Sequence, residues 1–283
     1  MSATTATSPR SDSAVDRRRK PLPVFGKVFS DTWRSLAGWA AGLAAVIFLY
    51  LPLFPSIGGS DQMQQLINSM PPQLVHALNY DQIGTGAGYT QSTLFGLMGF
   101  LLTSIAAVGW GAGAIGGDEE SGQLELTLAH SVTRTQVALE RFLALVVKLL
   151  ILATLVFVLV AALNGPAQLQ LDTANLLGCC LLFAGLSLLS GTAALLAGAS
   201  TGRRIWGVGV GAAVAVLGYV FNAVGNQSPD VEWLHRLSPY YWAYGNNPMN
   251  SGANPLAVVA LFGLAVLMGA LTAMVLRRRD VGV

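Results

Sequence analysis

The sequence predicts an all-α polytopic membrane protein with six transmembrane helices, and two observations support this prediction. Hydrophobic residues make up 53% of the 283 residues and charged residues only 11%, whereas a soluble domain carries about 25% charged residues. Several apolar stretches reach the ~20 residues that a helix needs to cross the hydrocarbon core. They lack the alternating pattern of barrel strands, so we expect the spans to be helical.

The N-terminal region divides into a tail and an amphipathic segment. Residues 1–20 are polar and end in a basic cluster, which predicts a disordered cytoplasmic tail before a single transmembrane domain over residues 21–283. Apolar residues then recur at helical spacing opposite a polar face. This pattern predicts an interfacial helix, although a buried helix of a soluble domain has the same pattern. The apolar face consists of Phe25, Val28, Phe29, Trp33 and Leu36.

The predicted spans are residues 36–55, 92–115, 142–163, 174–199, 205–224 and 255–276. A cytoplasmic N-terminus places all of the 16 lysines and arginines except Arg236 on the cytoplasmic side or at the cytoplasmic ends of spans. This asymmetry follows the positive-inside rule and predicts a multi-pass plasma-membrane protein with both termini in the cytoplasm. A helix resting on the outer surface is predicted over residues 61–78. The aromatic cluster of the last external loop indicates contact with headgroups, or with a substrate.

The most informative segment, residues 117–134, lies between the second and third spans. Its acidic residues Asp118, Glu119, Glu120 and Glu125 surround an apolar set, Leu124, Leu126 and Leu128. Thr133 and Gln136 have capping-box spacing, which predicts the start of a helix. A charged surface with an apolar patch is typical of a docking site for another protein. The alternative is a solvated acidic loop that helps to fix the topology.

This segment resembles the signature of permease subunits of type 2 ATP-binding-cassette transporters. Two glutamates, a glycine, a glutamate and a final arginine stand in the family order at Glu119, Glu120, Gly122, Glu125 and Arg134. The sequence departs from the signature at Gln123, Thr127 and Ser131. The resemblance implies a coupling helix that seats in a groove of the ATPase subunit. The implied ATPase-coupling residues are Asp118, Glu119, Glu120, Gly122, Leu124, Glu125, Leu128 and Arg134.

The ATPase itself is predicted to be a separate subunit. A phosphate-binding loop needs glycines followed by Lys and Ser or Thr, and none of the three lysines has that setting. We therefore expect no catalytic residue, metal or cofactor on this chain, with ATP and Mg²⁺ bound by the partner. The resemblance also implies a second permease copy or a sister permease. Membrane lipid is an expected partner and nucleic acid is not.

The expected function is outward transport of a hydrophobic or amphipathic substrate, such as a drug, an antibiotic or a lipid. Lys148 and Asn222 are candidates for the translocation path, although Lys148 also has the reach to snorkel to the interface. A secondary transporter or channel remains an alternative, which the lack of Asp and Glu in the predicted spans disfavours. An intramembrane protease is a further alternative, based on the paired Glu119 and Glu120.

Overall fold

The computed structural model describes residues 22–57, 65, 69–71, 75, 83–129 and 132–279, and these residues form helices and no strand. Six helical stretches are long and apolar enough to cross a membrane. They confirm the all-α class and the six predicted spans. The spans, numbered in chain order, are Val24–Ser56, Gly86–Glu120, Arg134–Leu163, Thr173–Thr201, Arg204–Gly225 and Pro255–Arg278. The predicted tail and most of the predicted surface helix over residues 61–78 lie outside the described residues.

The α-helices of the described chain are, in chain order, α1 (Pro23–Tyr50), α2 (Phe54–Ile57), α3 (Gly86–Thr90), α4 (Gly99–Ala112), α5 (Asp118–Glu120), α6 (Gln123–Leu128), α7 (Arg134–Leu163), α8 (Thr173–Thr201), α9 (Arg204–Gly225), α10 (Pro239–Tyr244), α11 (Pro248–Ser251) and α12 (Pro255–Arg278). Short 3₁₀ helices cover Leu51–Leu53 and Pro229–Leu237. The helices of the six spans pack against one another in a single bundle.

Helix α8 is the centre of the bundle and packs against α4, α7, α9 and α12. Of its most apolar window, 89% is buried, more than in any other span of the described chain. Glycines allow this close packing, because a Cβ at Gly111 of α4 would collide with the carbonyl oxygen of Gly191 in α8. Gly207 and Gly211 of α9 also meet Ala194 of α8. Small residues at these crossings let the helix backbones approach closely.

Helix α1 joins the predicted interfacial segment and the first span into one helix of 28 residues. The sequence suggested a short separate helix that ends near Leu36. No proline interrupts α1 after Pro23, so the helical hydrogen bonds continue without a break. At its start, the Phe25 N–H donates to the Glu140 carboxylate at 2.7 Å. The residues of the predicted apolar face differ in their surroundings, since Val28 is half-buried and Trp33 is 57% exposed.

The second span contains two π-helical segments, Gln91–Met98 and Gly113–Gly117. The first follows α3 and the second connects α4 directly to α5, so a continuous helical rod leads from the membrane into the segment between spans 2 and 3. π-Helical turns are rare and often occur at functional sites. The acidic residues of α5 therefore lie on the same uninterrupted helix as span 2.

The two ends of the bundle differ in chemistry. The end that we call the basic end holds Lys27, Arg134, Arg141, Arg204 and Arg277–Arg279 together with α5 and α6. The opposite end carries the aromatic helix α10, where the Tyr240 hydroxyl donates to the Gly96 carbonyl at 2.8 Å. Tyr240 and Tyr244 are buried, at 7% and 2% exposed, and so form part of the core.

Candidate functional site: the segment between spans 2 and 3

A left-handed glycine shapes the segment at the basic end. Helix α5 ends at Glu120, and α6 starts at Gln123 after a turn through Ser121 and Gly122. Gly122 has φ +71°, and its N–H donates to the Glu119 carbonyl at 3.0 Å. This backbone conformation is costly for residues with a Cβ. The glycine therefore sets the junction between the two short helices.

The inner side of α6 is anchored by Leu124, which is fully buried. Leu124 belongs to a cluster that joins five of the six spans; its members include Val24, Ile115, Val137, Leu195 and Leu276. Leu126 is 66% exposed, and Leu128 is partly buried. The structure therefore corrects the expectation of one exposed leucine patch: Leu124 faces the core of its own chain, and Leu126 faces outward.

Two of the acidic residues form ion pairs with arginines in or next to other spans. Asp118 forms an ion pair with Arg141 of α7, and Glu119 forms one with Arg279, directly after α12. The Arg279 guanidinium also donates to the Ala199 carbonyl of α8, and the Arg134 guanidinium donates to the Arg279 carbonyl. The acidic segment is thereby tied to spans 3, 4 and 6.

The other two acidic residues of the segment are exposed. Glu120 accepts the Arg204 N–H at 3.1 Å, which places it at the start of span 5. Glu125 lies on the exposed side of α6 together with Leu126. The outward surface of the segment thus combines a carboxylate with a large apolar side chain.

Thr133 caps α7 as the sequence predicts, since its hydroxyl oxygen accepts the Gln136 N–H at 3.1 Å. Gln136 in turn donates to Glu140 at 2.7 Å. Glu140 is 3% exposed and binds the start of α1 through its other oxygen. Sequence reasoning missed Glu140, although its position one turn after Gln136 and Val137 would have placed it on the buried face.

Comparison with known proteins identifies the family. The model of the ABC-2 family transporter protein matches residues 22–281. The chain belongs to the ABC-2 transporter family. No curated protein and no solved structure matches the chain. The match confirms the resemblance that was based on residues 117–134, and it extends over nearly the whole sequence. ABC-2 permeases are membrane transport components, and membership in the family implies an ABC ATPase as a partner in general.

Two cavities in the part of the permease that the structure describes have the size of small-molecule sites. A cavity of about 540 Å³ lies at the basic end between α1, α4, α6 and α7; we call it the basic-end cavity. A second cavity of about 410 Å³ lies between spans 2 and 5, and its lining is almost entirely apolar. Among the described residues, no group of His, Cys, Asp and Glu side chains is arranged to hold a metal ion.

The two candidates for the translocation path lie in different places. Lys148 lines the basic-end cavity, and only 3% of its surface is exposed. Asn222 is buried near the last turn of α9, at the end of the bundle opposite the basic end. It lines neither cavity. The structure does not bring the two side chains together.

Proposed function

We propose that this permease is the transmembrane subunit of an ATP-driven exporter in the plasma membrane, with the basic end and both termini in the cytoplasm. It moves a hydrophobic or amphipathic substrate outward, while a separate ATPase subunit binds ATP and Mg²⁺. The orientation is supported by the concentration of arginine side chains at the basic end. The one observation that supports the proposal most is the construction of α5 and α6.

These two helices combine a fixed inner side with an accessible outer side. Leu124 and the Asp118 and Glu119 ion pairs hold the inner side to the bundle. Glu125 and Leu126 remain exposed. A docking surface needs an apolar contact that is desolvated on binding and polar groups that fix the register of the partner. The exposed pair supplies both.

The contacts of α5 would also transmit a movement of the segment to the membrane helices. Span 2 continues into α5 without a break, and the side chains of α5 contact the starts or ends of spans 3, 5 and 6. A partner that moves α6 would displace four spans at their basic ends. This arrangement supports a coupling role for the segment, in which closure of the ATPase changes the access of the translocation path.

A second permease copy or a sister permease completes the proposed complex. The pair Gly207 and Gly211, which would suit a contact between two chains, packs within the chain against α8 and α4. Gly109 and Gly113 of span 2 meet no neighbour, because a Cβ at either would have no atom within 4 Å. Both glycines border the basic-end cavity, so span 2, rather than span 5, has small residues that no other helix of the described chain covers.

The docking surface is tested by co-purification of the ATPase with full-length variants. Glu125→Lys and Leu126→Asp should each reduce the recovered ATPase by about tenfold, since interface positions of this kind are worth about 1–2 kcal/mol or more. Thermal stability should stay unchanged because both side chains are exposed. Glu232→Lys, an exposed acidic residue near the opposite end, serves as the matched control and should retain the ATPase.

Orientation is tested on the same surface with Glu125→Cys. The native cysteines Cys179 and Cys180 are 0% and 3% exposed, so the new thiol should react first with a membrane-impermeant maleimide. We expect labelling only after the cytoplasmic side is opened. Labelling from the outside of intact cells, or full ATPase recovery with both docking variants, would contradict the proposal. Transport with a catalytically inactive ATPase would show that the chain does not depend on ATP.

A further inference from the structure

The basic-end cavity carries an excess of positive charge next to apolar surface. Its walls come from the first turns of α1, the last turn of α4 with the π-helical segment that follows it, the exposed edge of α6 and the first half of α7. Four cationic and two acidic side chains line it, namely Lys27, Arg141, Lys148, Arg204, Asp31 and Asp118. The rest of the lining is mainly apolar, with valine, alanine and leucine side chains and the indole of Trp110, and it includes the uncharged polar residues Thr32, Gln123 and Thr127.

The acidic residues of the cavity leave Lys148 without a counter-ion. Asp118 is bound to Arg141, which lies seven residues earlier in α7 and therefore about 10 Å nearer to the basic end. Asp31 lies on an exposed face of α1 and accepts a hydrogen bond from Ser30 at 3.3 Å. Among the described residues, no carboxylate forms an ion pair with Lys148. The deep end of the cavity therefore holds a cation without an ion-pair partner.

Lys148 has one strong contact, the face of Trp110. Its Nζ lies 5.1 Å from the centre of the ring, and the Trp110 indole N–H donates to Ser35 at 3.1 Å, which fixes the ring. The stabilisation from one cation–π contact is smaller than the cost of burying an unpaired ammonium. The ring therefore holds the ammonium in place and offsets only part of the cost of its burial.

Snorkelling does not explain this position. A snorkelling lysine extends its charge to water, but Lys148 is 97% buried and its charge lies over an indole that belongs to span 2. An anion that enters the cavity would meet a preorganised cation in a site of low polarity, where a charged hydrogen bond is strongest.

We propose that the basic-end cavity binds the anionic headgroup of an amphiphile, with the Lys148 ammonium as its counter-ion. The headgroup is a carboxylate or a phosphate, and the apolar wall along Val28, Trp110 and Leu145 receives the first part of the chain. Such a ligand comes from one of two sources, a resident anionic lipid of the adjacent leaflet or the transported cargo. The second source rests on the proposed function; the headgroup chemistry is the same for both.

The test compares an acid with its uncharged ester. The full-length permease with its ATPase is placed in nanodiscs of phosphatidylcholine and titrated with a dansyl-labelled fatty acid, or with the methyl ester of the same compound. We expect the acid to bind at least about tenfold more tightly than the ester. Lys148→Met should remove this preference by weakening the acid alone, and Lys148→Arg should retain most of it. Arg277→Gln, an exposed cation outside the cavity, should change neither affinity.

A second variant tests the location independently of charge. A side chain at Gly113 would project into free space beside the cavity, so Gly113→Leu should weaken the acid and the ester alike. The source is separated by adding phosphatidylglycerol to the nanodiscs. Loss of the acid signal then identifies a lipid headgroup site, whereas retention of the signal and its release on addition of ATP identifies cargo.

Two results would overturn the inference. Equal affinity of the wild-type protein for the acid and the ester would show that the cavity does not select an anion. An unchanged preference in Lys148→Met would show that another group selects it. ATPase co-purification is measured on the same samples: with the ATPase still bound, either result removes this inference and leaves the proposed function intact.

Discussion

The ion pair between Glu119 and Arg279 is the contact that should respond most clearly to mutation. It connects α5 to the residue directly after span 6, across 160 positions of the sequence. The side chains are 13% and 25% exposed, so the pair is largely but not fully shielded from water. We consider the single variants Glu119→Gln and Arg279→Met and the double variant. Each single variant removes one charge and leaves the other in a partly buried setting.

The expected magnitude follows from this geometry. Unit charges in contact, about 3 Å apart, attract each other by roughly 5 kcal/mol at an effective dielectric constant of about 20. Desolvation offsets much of this attraction, and the exposed quarter of Arg279 reduces it further. We therefore expect a coupling free energy of about 1–2 kcal/mol. Arg279→Met should be the more destabilising single change, because it also removes the bond to the Ala199 carbonyl.

The assay is a double-mutant cycle on the free energy of unfolding, measured with the purified permease in mixed micelles. Glu232→Gln, an exposed carboxylate at the other end, should change stability by less than about 0.5 kcal/mol. A coupling free energy near zero, with both single variants folded, would refute the reasoning. It would mean that the two side chains do not share a contact, and that α5 is not tied to span 6.

Four other changes have defined outcomes. Gly122→Ala should cost about 1–2 kcal/mol of unfolding free energy from its left-handed φ alone, because a Cβ there meets no neighbour. Gly202→Ala should cost more, since it has φ +68° and a Cβ would also lie 2.7 Å from the Glu119 carboxylate. Gln91→Leu leaves the Met249 N–H without its 3.1 Å acceptor and should lower stability by about 1–3 kcal/mol. Gly191→Val should prevent folding, because a Cβ there would lie 2.9 Å from the Ala107 carbonyl oxygen. Thermal unfolding of the detergent-solubilised variants measures the first three, and size-exclusion chromatography measures the fourth.

The three glycine positions have comparisons of their own. Gly122→Asn should be milder than Gly122→Ala, because asparagine adopts the left-handed conformation more readily. Equal losses at Gly122 and Gly202 would contradict the steric part of the argument. A stable Gly191→Val protein would mean that α4 and α8 do not cross as closely as described.

The structure of the second span explains why residues 117–134 and the membrane helices should move together. A rod that extends from Gly86 to Glu120 carries a π-helical segment near each end. The first contains Gln91, which holds the loop at the opposite end through Asn247 and Met249. The second leads into Asp118 and the basic end. Span 2 therefore contacts both ends of the bundle with its own side chains.

The sequence by itself determined the class of the protein, the number of spans, the family and the cap of α7. These features depend on local properties: the length and polarity of each stretch, and the spacing of residues within 117–134 and of Thr133 and Gln136. Each is decided over fewer than about 30 residues, because a helix in lipid satisfies its own backbone groups. The sequence also predicted Lys148 as a functional candidate, from the cost of a charge in a membrane.

Only the tertiary structure decided which side chains of the segment face outward. Leu124 and Leu126 are two residues apart, yet one is fully buried and the other is 66% exposed. The partner of Glu119 lies 160 residues away, and no local pattern encodes that pairing. The burial of Lys148 beneath Trp110 depends on how α4 packs against α7. Helix packing joins residues that are distant in the chain, and it therefore determines which charges are paired and which remain available to a ligand or a partner.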